Sequence, residues 1–282
     1  MKLVRYGLPG EEKPGIVDET GNIYDISSYL PDITPIYLTT NNLQKLVSLS
    51  TTILPIAAHV NHVRIGPCVN QAGKLICVGF NSKQHIQEMG QPTPTNVIFF
   101  LKATSSIIGP NDTVLYSPLN QKVDWEAELA LVISKKGKNI AVTDAKDYIL
   151  GYTCMNDLSD RYWQFDKGGQ HAMGKSFDTF APLGPYLVTP DEVGDITRLQ
   201  ISCSVNQEKR QSFQPDDYIF KPYDVISELS KVFTLFPGDV ISLGTGPGNA
   251  KAWGNAFLTP GDVLNMQIHK LGAQENKIVA AS

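Results

Sequence analysis

Three carboxylates alternate along the segment QKVDWEAELALVISKKGKN, residues 121–139. Asp124, Glu126 and Glu128 occupy every second position, and a β-strand directs such residues to one face. Neighbouring carboxylates on one face repel each other, and a bound cation removes that repulsion. Oxygen ligands of this kind suit Mg²⁺ or Mn²⁺. The spacing by itself nevertheless favours a solvent-exposed strand face over a metal site.

Two further observations favour the metal site. Trp125, Ala127 and Leu129 supply an apolar side for this strand, so the acidic side must face a cleft or water. Asp157 occurs in CMNDLSDRYWQ, where polar neighbours immediately follow a second apolar run. A third carboxylate of this kind would complete a facial set of ligands for a divalent cation.

A histidine and a glutamate lie three positions apart in VGFNSKQHIQEMG. His85 and Glu88 would share one face of a helical turn, where the carboxylate can orient and polarise the imidazole. This arrangement suits a general base that takes a proton from water. An ordinary surface pair has the same spacing, and without other context that interpretation is favoured. Structural or surface roles are predicted for the remaining histidines: His59, His62, His171 and His269.

Two glycine-rich segments could contact a ligand. Lys175 follows a glycine-rich stretch in GGQHAMGKSFDTFAPLGP and could bind a carboxylate or a developing oxyanion. Thr245 lies among the glycines of LGTGPGNA, whose backbone can approach a ligand closely. The second segment is too irregular for a dinucleotide fingerprint or a phosphate-binding loop. A solvated lysine and a tight turn between strands are the plainer alternatives.

The elements that must carry these residues are mostly short strands. LICVGF, VIFFLKATSSIIG and VDWEAELALVI predict buried strands, two PGD turns introduce further ones, and LQISCSVNQEKRQSF predicts a hairpin-like pair. NNLQKLVSL and VISELSKVFTLF predict helices, whereas DAKDYILGYTCMNDLSDRYWQ begins with a helical pattern and becomes irregular. These signals predict a β-rich α+β fold with long functional loops.

Composition argues against several classes of function. A net charge of −4 without a Lys/Arg cluster gives no reason to expect nucleic-acid binding. No apolar run reaches about 18 residues and the start lacks a signal-peptide pattern, so we expect no membrane association. The cysteines form no CxxC pair, which predicts reduced, mostly buried thiols in a cytoplasmic protein and argues against a zinc site.

Six pieces between Leu75 and the C-terminus resemble, in order, the fumarylacetoacetate hydrolase superfamily. They are VGFNSKQHIQEMG, FFLKATSSIIGPND, VDWEAELALVI, MNDLSDRYWQ, GKSFDTFAPLGP and PGDVISLGTG. The resemblance implies an α+β, β-rich fold in which a mixed β-sheet forms a β-sandwich roll, usually within a homodimer. Residues 1–70 resemble the small N-terminal domain of many bacterial members, which leaves residues 71–282 as the catalytic domain.

The resemblance also implies the chemistry of the site. A divalent cation, Mg²⁺ or Mn²⁺ (with Ca²⁺ as a substitute in a crystal), is held at the positions of Glu126, Glu128 and Asp157. Asp124 matches no ligand position. His85 and Glu88 match the water-activating pair, carried on a mobile segment, and Lys175 matches a further catalytic position. The positions that contact the substrate are matched by Arg161, Gln164, Lys175 and Thr245.

The implied reaction is hydrolysis of a carbon–carbon bond in a small-molecule 2,4-dioxo acid. The sequence resembles most the bacterial members that cleave 2,4-dioxo-3-deoxy sugar acids, which are often labelled ureidoglycolate lyase. Acylpyruvates are the other candidate substrates. A 2-oxo acid would chelate the cation, His85 would activate water, and Lys175 with the Thr245 loop would assist the oxyanion. Oxaloacetate decarboxylation, or hydratase and isomerase chemistry, uses the same kind of site. A non-catalytic binding protein on this scaffold is the third hypothesis.

Two residues depart from the family pattern. Ser82 stands in GFNS where tyrosine is frequent, and Gly246 stands in GTGPGNA where proline is usual. We expect both to lie near the pocket, Ser82 shortening a wall and Gly246 loosening a loop.

Overall fold

The computed structural model describes residues 1–38, 40–47 and 54–281. The first strands are β1 Lys2–Tyr6, β2 Lys13–Val17, β3 Asn22–Asp25, β4 Ile56–His59, β5 Leu75–Gly79, β6 Ile98–Lys102, β7 Ile107–Ile108, β8 Val114–Tyr116, β9 Val123–Asp124 and β10 Ala127–Ile133. The later strands are β11 Ile149–Asn156, β12 Ser159–Asp160, β13 Ala181–Pro182, β14 Leu187–Val188, β15 Ile201–Val205, β16 Glu208–Phe213, β17 Val240–Thr245, β18 Val263–Ile268 and β19 Gly272–Ala280. The α-helices are α1 Thr40–Val47, α2 Lys83–Met89, α3 His171–Lys175, α4 Pro190–Val193 and α5 Pro222–Val232.

The strands form two large sheets. The first is ten-stranded, in the order β4-β3-β2-β1-β14-β11-β10-β17-β5-β6, and the second is five-stranded, in the order β16-β15-β18-β19-β8. Both are mixed, because β17 runs parallel to β5 in the first sheet and β19 runs parallel to β8 in the second. The prediction of a β-rich α+β fold with a mixed sheet is confirmed.

The central strand β10 is buried on both faces. Leu129, Leu131 and Ile133 belong to the apolar core shared with β15, β18 and helix α5, whereas Ala130 and Val132 pack into a second core on the opposite face. All seven residues of β10 are buried, so the strand reads as a continuous apolar run interrupted only by Glu128. A carboxylate in such a strand needs a specific partner or ligand.

The first four strands extend the same sheet as the rest of the chain. β1 pairs antiparallel with β14 through Lys2↔Val188 and Leu3↔Leu187. Leu3 and Ile16 pack into the second core together with Cys77 of β5. The division at residue 70 stays a prediction. No helix among the described residues has the length and apolarity needed to span a membrane.

Three local predictions need correction. The segment from residue 144 forms a 3₁₀ turn, Ala145–Tyr148, and then the eight-residue strand β11, because pairing with β10 overrides the local helical pattern. The strand predicted over residues 123–133 is interrupted between Asp124 and Ala127. Helix α5 begins earlier than its apolar pattern suggests, with Pro222 in its first turn, and ends before the extended Phe233. The last two residues of the predicted helix NNLQKLVSL lie outside the described part of the chain.

Candidate active site

One cavity lies where the N-terminal end of β10 meets the C-terminal ends of β5, β11 and β17. Ala127 is paired with Asn156, the last residue of β11, and Glu128 is paired with Thr245, the last residue of β17. Except for Glu88, the residues predicted to bind the metal, bind the substrate or catalyse the reaction line this cavity: His85, Glu126, Glu128, Asp157, Arg161, Gln164, Lys175 and Thr245. Their chemical roles stay predictions.

The three predicted metal ligands converge. Glu126, Glu128 and Asp157 each offer one oxygen, and these oxygens lie within 4.8 Å of one another. Glu126 lies within the strand interruption, and its N–H donates to Asn156 Oδ1 (3.1 Å) instead of to a strand partner. The N–H of Asp157 donates to Glu126 O (2.9 Å). The backbone therefore brings a residue just before β10 and a residue just after β11 to one point.

Basic side chains bind two of these carboxylates. The Nζ atom of Lys175 lies 2.6 Å from both Glu126 Oε2 and Asp157 Oδ2. The guanidinium of Arg161 lies 2.6 Å from Glu126 Oε1. Lys102, which the sequence analysis did not single out, donates from Nζ to Asp157 Oδ1 (2.6 Å) and to two backbone carbonyls. Glu126 and Asp157 are thus held by cations at both of their oxygens.

Asp124 has a different environment from the other acids. It lies outside the converging set and accepts hydrogen bonds from Arg161 at Oδ2 (2.6 Å) and from the N–H of Ala250 at Oδ1 (2.8 Å). The pKa of Asp124 is raised, because burial outweighs the favourable charge of Arg161. Asp124 therefore anchors the guanidinium of Arg161.

No cation among the described residues pairs with Glu128. One of its oxygens, Oε2, accepts hydrogen bonds from the hydroxyl of Ser242 and the N–H of Gly244 (3.2 Å). Burial, followed by the nearby charges of Asp157 and Glu126, raises the pKa of Glu128 well above its ordinary value. The protein groups around Glu128 therefore disfavour the ionised form of this carboxyl group.

The pKa values of Glu126 and Lys175, also at the centre of the cavity, are shifted in favour of their charged forms. Burial alone would raise the pKa of Glu126, but the charges of Arg161 and Lys175 hold it well below its usual range. Burial alone would lower the pKa of Lys175, but Asp157 and Glu126 raise it above its ordinary value. Lys175 is therefore a protonated ammonium and cannot act as a base at neutral pH.

The residues present fit a divalent cation. The converging donors are all carboxylate oxygens, which hard cations such as Mg²⁺ and Mn²⁺ prefer. The buried cluster contains four carboxylates (Asp124, Glu126, Glu128, Asp157) against three basic side chains (Lys102, Arg161, Lys175). If all four carboxyl groups are ionised, the excess negative charge is centred on Glu128, and a cation bound there would offset it and favour the ionised form.

Helix α2 presents the histidine and the glutamate. Ser82 caps the helix by accepting a hydrogen bond from His85 N (3.1 Å). His85 Nδ1 lies 3.3 Å from Glu88 Oε2, and the Glu88 carboxylate also accepts from Gly248 N at 3.0 and 3.1 Å. Burial opposes ionisation of Glu88, but His85 and Gly248 lower its pKa below the ordinary value. Glu88 thus lies behind His85 and orients its ring, while His85 lines the cavity.

Ser82 and Gly246, the two residues that depart from the family pattern, have roles other than the expected ones. Ser82 is fully buried and hydrogen-bonds to Asp217, so it caps α2 and does not line the cavity. A Cβ atom at Gly246 would lie 2.3 Å from the ring of Phe213. Glycine at this position permits close packing of the loop against β16, and the predicted loosening is not what the structure shows.

The residues predicted to contact the substrate line the cavity, and their polar groups are already hydrogen-bonded within the protein. Arg161 Nη1 donates to Gln164 Oε1 (2.7 Å), and Gln164 is 3% exposed. The hydroxyl of Thr245 donates to Ala127 O (3.0 Å) and accepts from Gln211 Nε2 (2.9 Å). A substrate group at Thr245 would therefore meet a hydroxyl whose orientation is already fixed.

One further cavity residue, His171, was not predicted from the sequence. It was given a structural or surface role, but it lines the cavity, half-buried, with Phe100 and Phe165 at its ring edges. Burial and the charge of Lys175 lower its pKa, which favours the neutral ring. Its position four residues before Lys175, on one face of the short helix α3, was the available signal.

The fold and the cavity define a β-rich α+β protein with a buried cluster of acids next to a histidine–glutamate pair. The family described as fumarylacetoacetate (FAA) hydrolase, C-terminal, matches residues 74–279. The chain therefore belongs to the fumarylacetoacetate hydrolase superfamily, a class of hydrolase-type enzymes.

Individual relatives support this assignment. A Burkholderia cenocepacia protein named "Putative hydrolase" is 42% identical over 276 residues, 97% of each chain. The solved structure of a fumarylacetoacetate hydrolase from Exiguobacterium antarcticum is 30% identical with a TM-score of 0.86, and 100% of each chain is covered. A maleylpyruvate hydrolase from Sphingobium sp. SYK-6, in complex with manganese(II) and pyruvate, is 26% identical with a TM-score of 0.83, again with 100% of each chain covered.

Proposed function

We propose that this protein uses Mg²⁺ or Mn²⁺ to hydrolyse a carbon–carbon bond in a 2,4-dioxo acid. Acylpyruvates and 2,4-dioxo-3-deoxy sugar acids are the substrate classes, and pyruvate or a pyruvate-type acid is one product. The observation that carries the proposal is the presence, in one cavity, of three converging carboxylates and a histidine oriented by a glutamate. The manganese and pyruvate bound by the Sphingobium relative support it.

Glu126, Glu128 and Asp157 would hold the cation. When bound, the cation supplies Lewis-acid chemistry: it polarises the 2-oxo acid end of the substrate and stabilises negative charge that develops there. Arg161, Gln164 and Thr245 would orient the substrate, because they line the same cavity and hydrogen bonds fix their side chains. Arg161 bonds to Gln164, and Thr245 bonds to Gln211 and to the carbonyl of Ala127.

His85 would take the proton from water. The Nδ1 atom lies against Glu88, which leaves Nε2 as the atom that accepts the proton. The hydroxide adds to the carbonyl carbon at position 4, and Lys175, held as an ammonium, stabilises the oxyanion. The bond between carbons 3 and 4 then breaks. Carbon 4 leaves as a carboxylic acid, and carbon 3 takes the electron pair and a proton to give the methyl group of pyruvate.

We also propose a homodimer in a reducing, cytoplasmic compartment. Ile98 and Leu101 are 41% and 44% exposed on β6, which is an edge strand of the ten-stranded sheet, and an exposed apolar edge suits a second copy of the chain. All four cysteines are free and buried, which fits a reducing compartment. Light scattering coupled to size-exclusion chromatography tests the dimer: a monomeric mass would contradict it.

The function is tested by pyruvate release from a panel of 2,4-dioxo acids with Mg²⁺ or Mn²⁺. We expect activity to disappear with a chelator and in Glu126→Ala, and unchanged activity after both treatments would refute the proposal. His85→Ala separates hydrolysis from oxaloacetate decarboxylation, because only hydrolysis needs an activated water. His269→Ala, at an exposed position outside the cavity, is the matched control.

A further inference from the structure

Gln211 connects the two large sheets beside the cavity. It belongs to β16, the edge strand of the five-stranded sheet, and its side chain is 1% exposed. The side-chain amide reaches the start of β10 and the end of β17, and both strands belong to the ten-stranded sheet. Gln211 does not line the cavity, so it has no direct part in the reaction proposed above.

The acceptor oxygen of Gln211 holds the first residue of β10, which lies between two of the acids. Oε1 accepts a hydrogen bond from Ala127 N (3.0 Å), and Ala127 lies between Glu126 and Glu128. The carbonyl of Ala127 accepts a hydrogen bond from the hydroxyl of Thr245 (3.0 Å). The pairing of β10 with β17 shifts register immediately after Glu128, so these side chains complete the hydrogen bonding of Ala127 where the regular ladder is disturbed.

The donor nitrogen of Gln211 fixes the loop behind the histidine. Nε2 donates to Thr245 Oγ1 (2.9 Å), Gly246 O (3.1 Å) and Pro247 O (3.3 Å). The next residue, Gly248, donates its N–H to the Glu88 carboxylate. A displacement of this loop would therefore move the group that orients His85.

We propose that Gln211 is a positioning residue that keeps the acid-bearing strand and the histidine–glutamate pair in one fixed relation. A primary amide offers an acceptor on one side and donors on the other, and the site uses both. This inference rests on the proposed function, because it assumes that Glu126 and Glu128 bind a cation. Gln211, from the five-stranded sheet, would then help to set the geometry of a cation site that the ten-stranded sheet carries.

Gln211→Met tests the inference, because methionine keeps the volume of the side chain and removes all of its hydrogen bonds. Calorimetric titration with Mn²⁺ should show an affinity about 10–100-fold lower than in the wild type, the range found when residues that support metal ligands are replaced. At saturating Mn²⁺, kcat should fall while KM changes less, because the position of Glu88 is disturbed.

Gln274→Met is the matched control. Gln274 is 2% exposed and donates from Nε2 to the carbonyls of Cys154, Pro182 and Gly184, and it does not line the cavity. Both variants should lose thermal stability, but only Gln211→Met should lose Mn²⁺ affinity. Equal Mn²⁺ affinity in the two variants would overturn the inference. Failure of the wild type to bind Mn²⁺ would instead overturn the proposed function.

Thr245→Val decides the question if Gln211→Met does not fold. It removes the hydroxyl that joins Gln211 to the carbonyl of Ala127 and leaves the bond from Ala127 N to Gln211 in place. We expect a reduced Mn²⁺ affinity with a folded, cooperative thermal transition. Wild-type Mn²⁺ affinity in this variant would overturn the inference.

Discussion

Replacing Lys175 with methionine removes the ammonium that lies 2.6 Å from both Glu126 and Asp157. All three side chains are less than a tenth exposed, so water cannot substitute for the missing charge. Removal of one partner of a buried ion pair costs about 3–5 kcal/mol. For a chain of this length, a loss of 1 kcal/mol lowers the melting temperature by roughly 2 °C. The variant should therefore melt about 6–10 °C below the wild type in the presence of a chelator.

Scanning calorimetry with and without Mn²⁺ measures this effect. A cation present at 100 times its dissociation constant adds about 2.7 kcal/mol to the free energy of unfolding. Mn²⁺ should stabilise Lys175→Met more than the wild type, because the cation then replaces the missing charge between Glu126 and Asp157.

Lys122→Met is the control for this experiment. Its ammonium is 2.7 Å from Asp166, but both side chains are more than 40% exposed, so its removal should cost less than about 1 kcal/mol. A melting temperature of Lys175→Met that matches this control in chelator would refute the reasoning, because the buried carboxylates would then need no counter-charge.

Three further predictions concern other parts of the molecule. Burial opposes ionisation of Glu12, but the hydrogen bond from Arg64 holds its pKa below the ordinary value of 4.5. Its stabilising contribution is therefore complete above that value and is lost as the pH falls through the lower folded-state pKa, so urea denaturation of Glu12→Gln and the wild type should differ near neutral pH and converge in acid. Gly248→Ala places a Cβ 2.1 Å from Arg210 O at a φ of +97°, and misplacement of the N–H that anchors the glutamate should reduce kcat roughly a hundredfold. Leu131→Ala, at a fully buried position, should lower the free energy of unfolding by about 2–5 kcal/mol in urea.

Each of these three predictions can be contradicted by experiment. A difference between Glu12→Gln and the wild type that persists unchanged in acid would show that the carboxylate is not the source of the stability. Wild-type kcat in Gly248→Ala would show that the loop tolerates a side chain. A loss below about 1 kcal/mol in Leu131→Ala would mean that the core refills the cavity.

The sequence was sufficient to predict the central strand and the acids it carries. The apolar run from Leu129 to Ile133 and the two-residue spacing of the glutamates are local signals, and both depend only on the alternation of faces in a strand. Asp157 could be added because it follows a second apolar run. These residues do lie together in the structure.

The strand interruption before Ala127 could not be predicted in this way. It depends on hydrogen bonds from Glu126 N to Asn156 and from Ala127 N to Gln211, which are 30 and 84 residues away in the chain. Such contacts exist only after the sheets have assembled. Lys102 was overlooked for a different reason: a lysine at the end of IFFLK resembles an ordinary strand terminus, and only its burial beside Asp157 reveals its role.

The attachment of β1 to β14 has a consequence for the integrity of the whole protein. β14 contributes only Leu187 and Val188, which are fully buried in two different apolar cores, and its backbone pairs with β1 on one side and with β11 on the other. Proteolytic loss of the first strand would leave the backbone of β14 unpaired on one side and expose apolar side chains beside it, which together form a template for strand addition and aggregation. Cleavage in the N-terminal region would therefore be expected to precipitate the protein rather than release a working catalytic fragment.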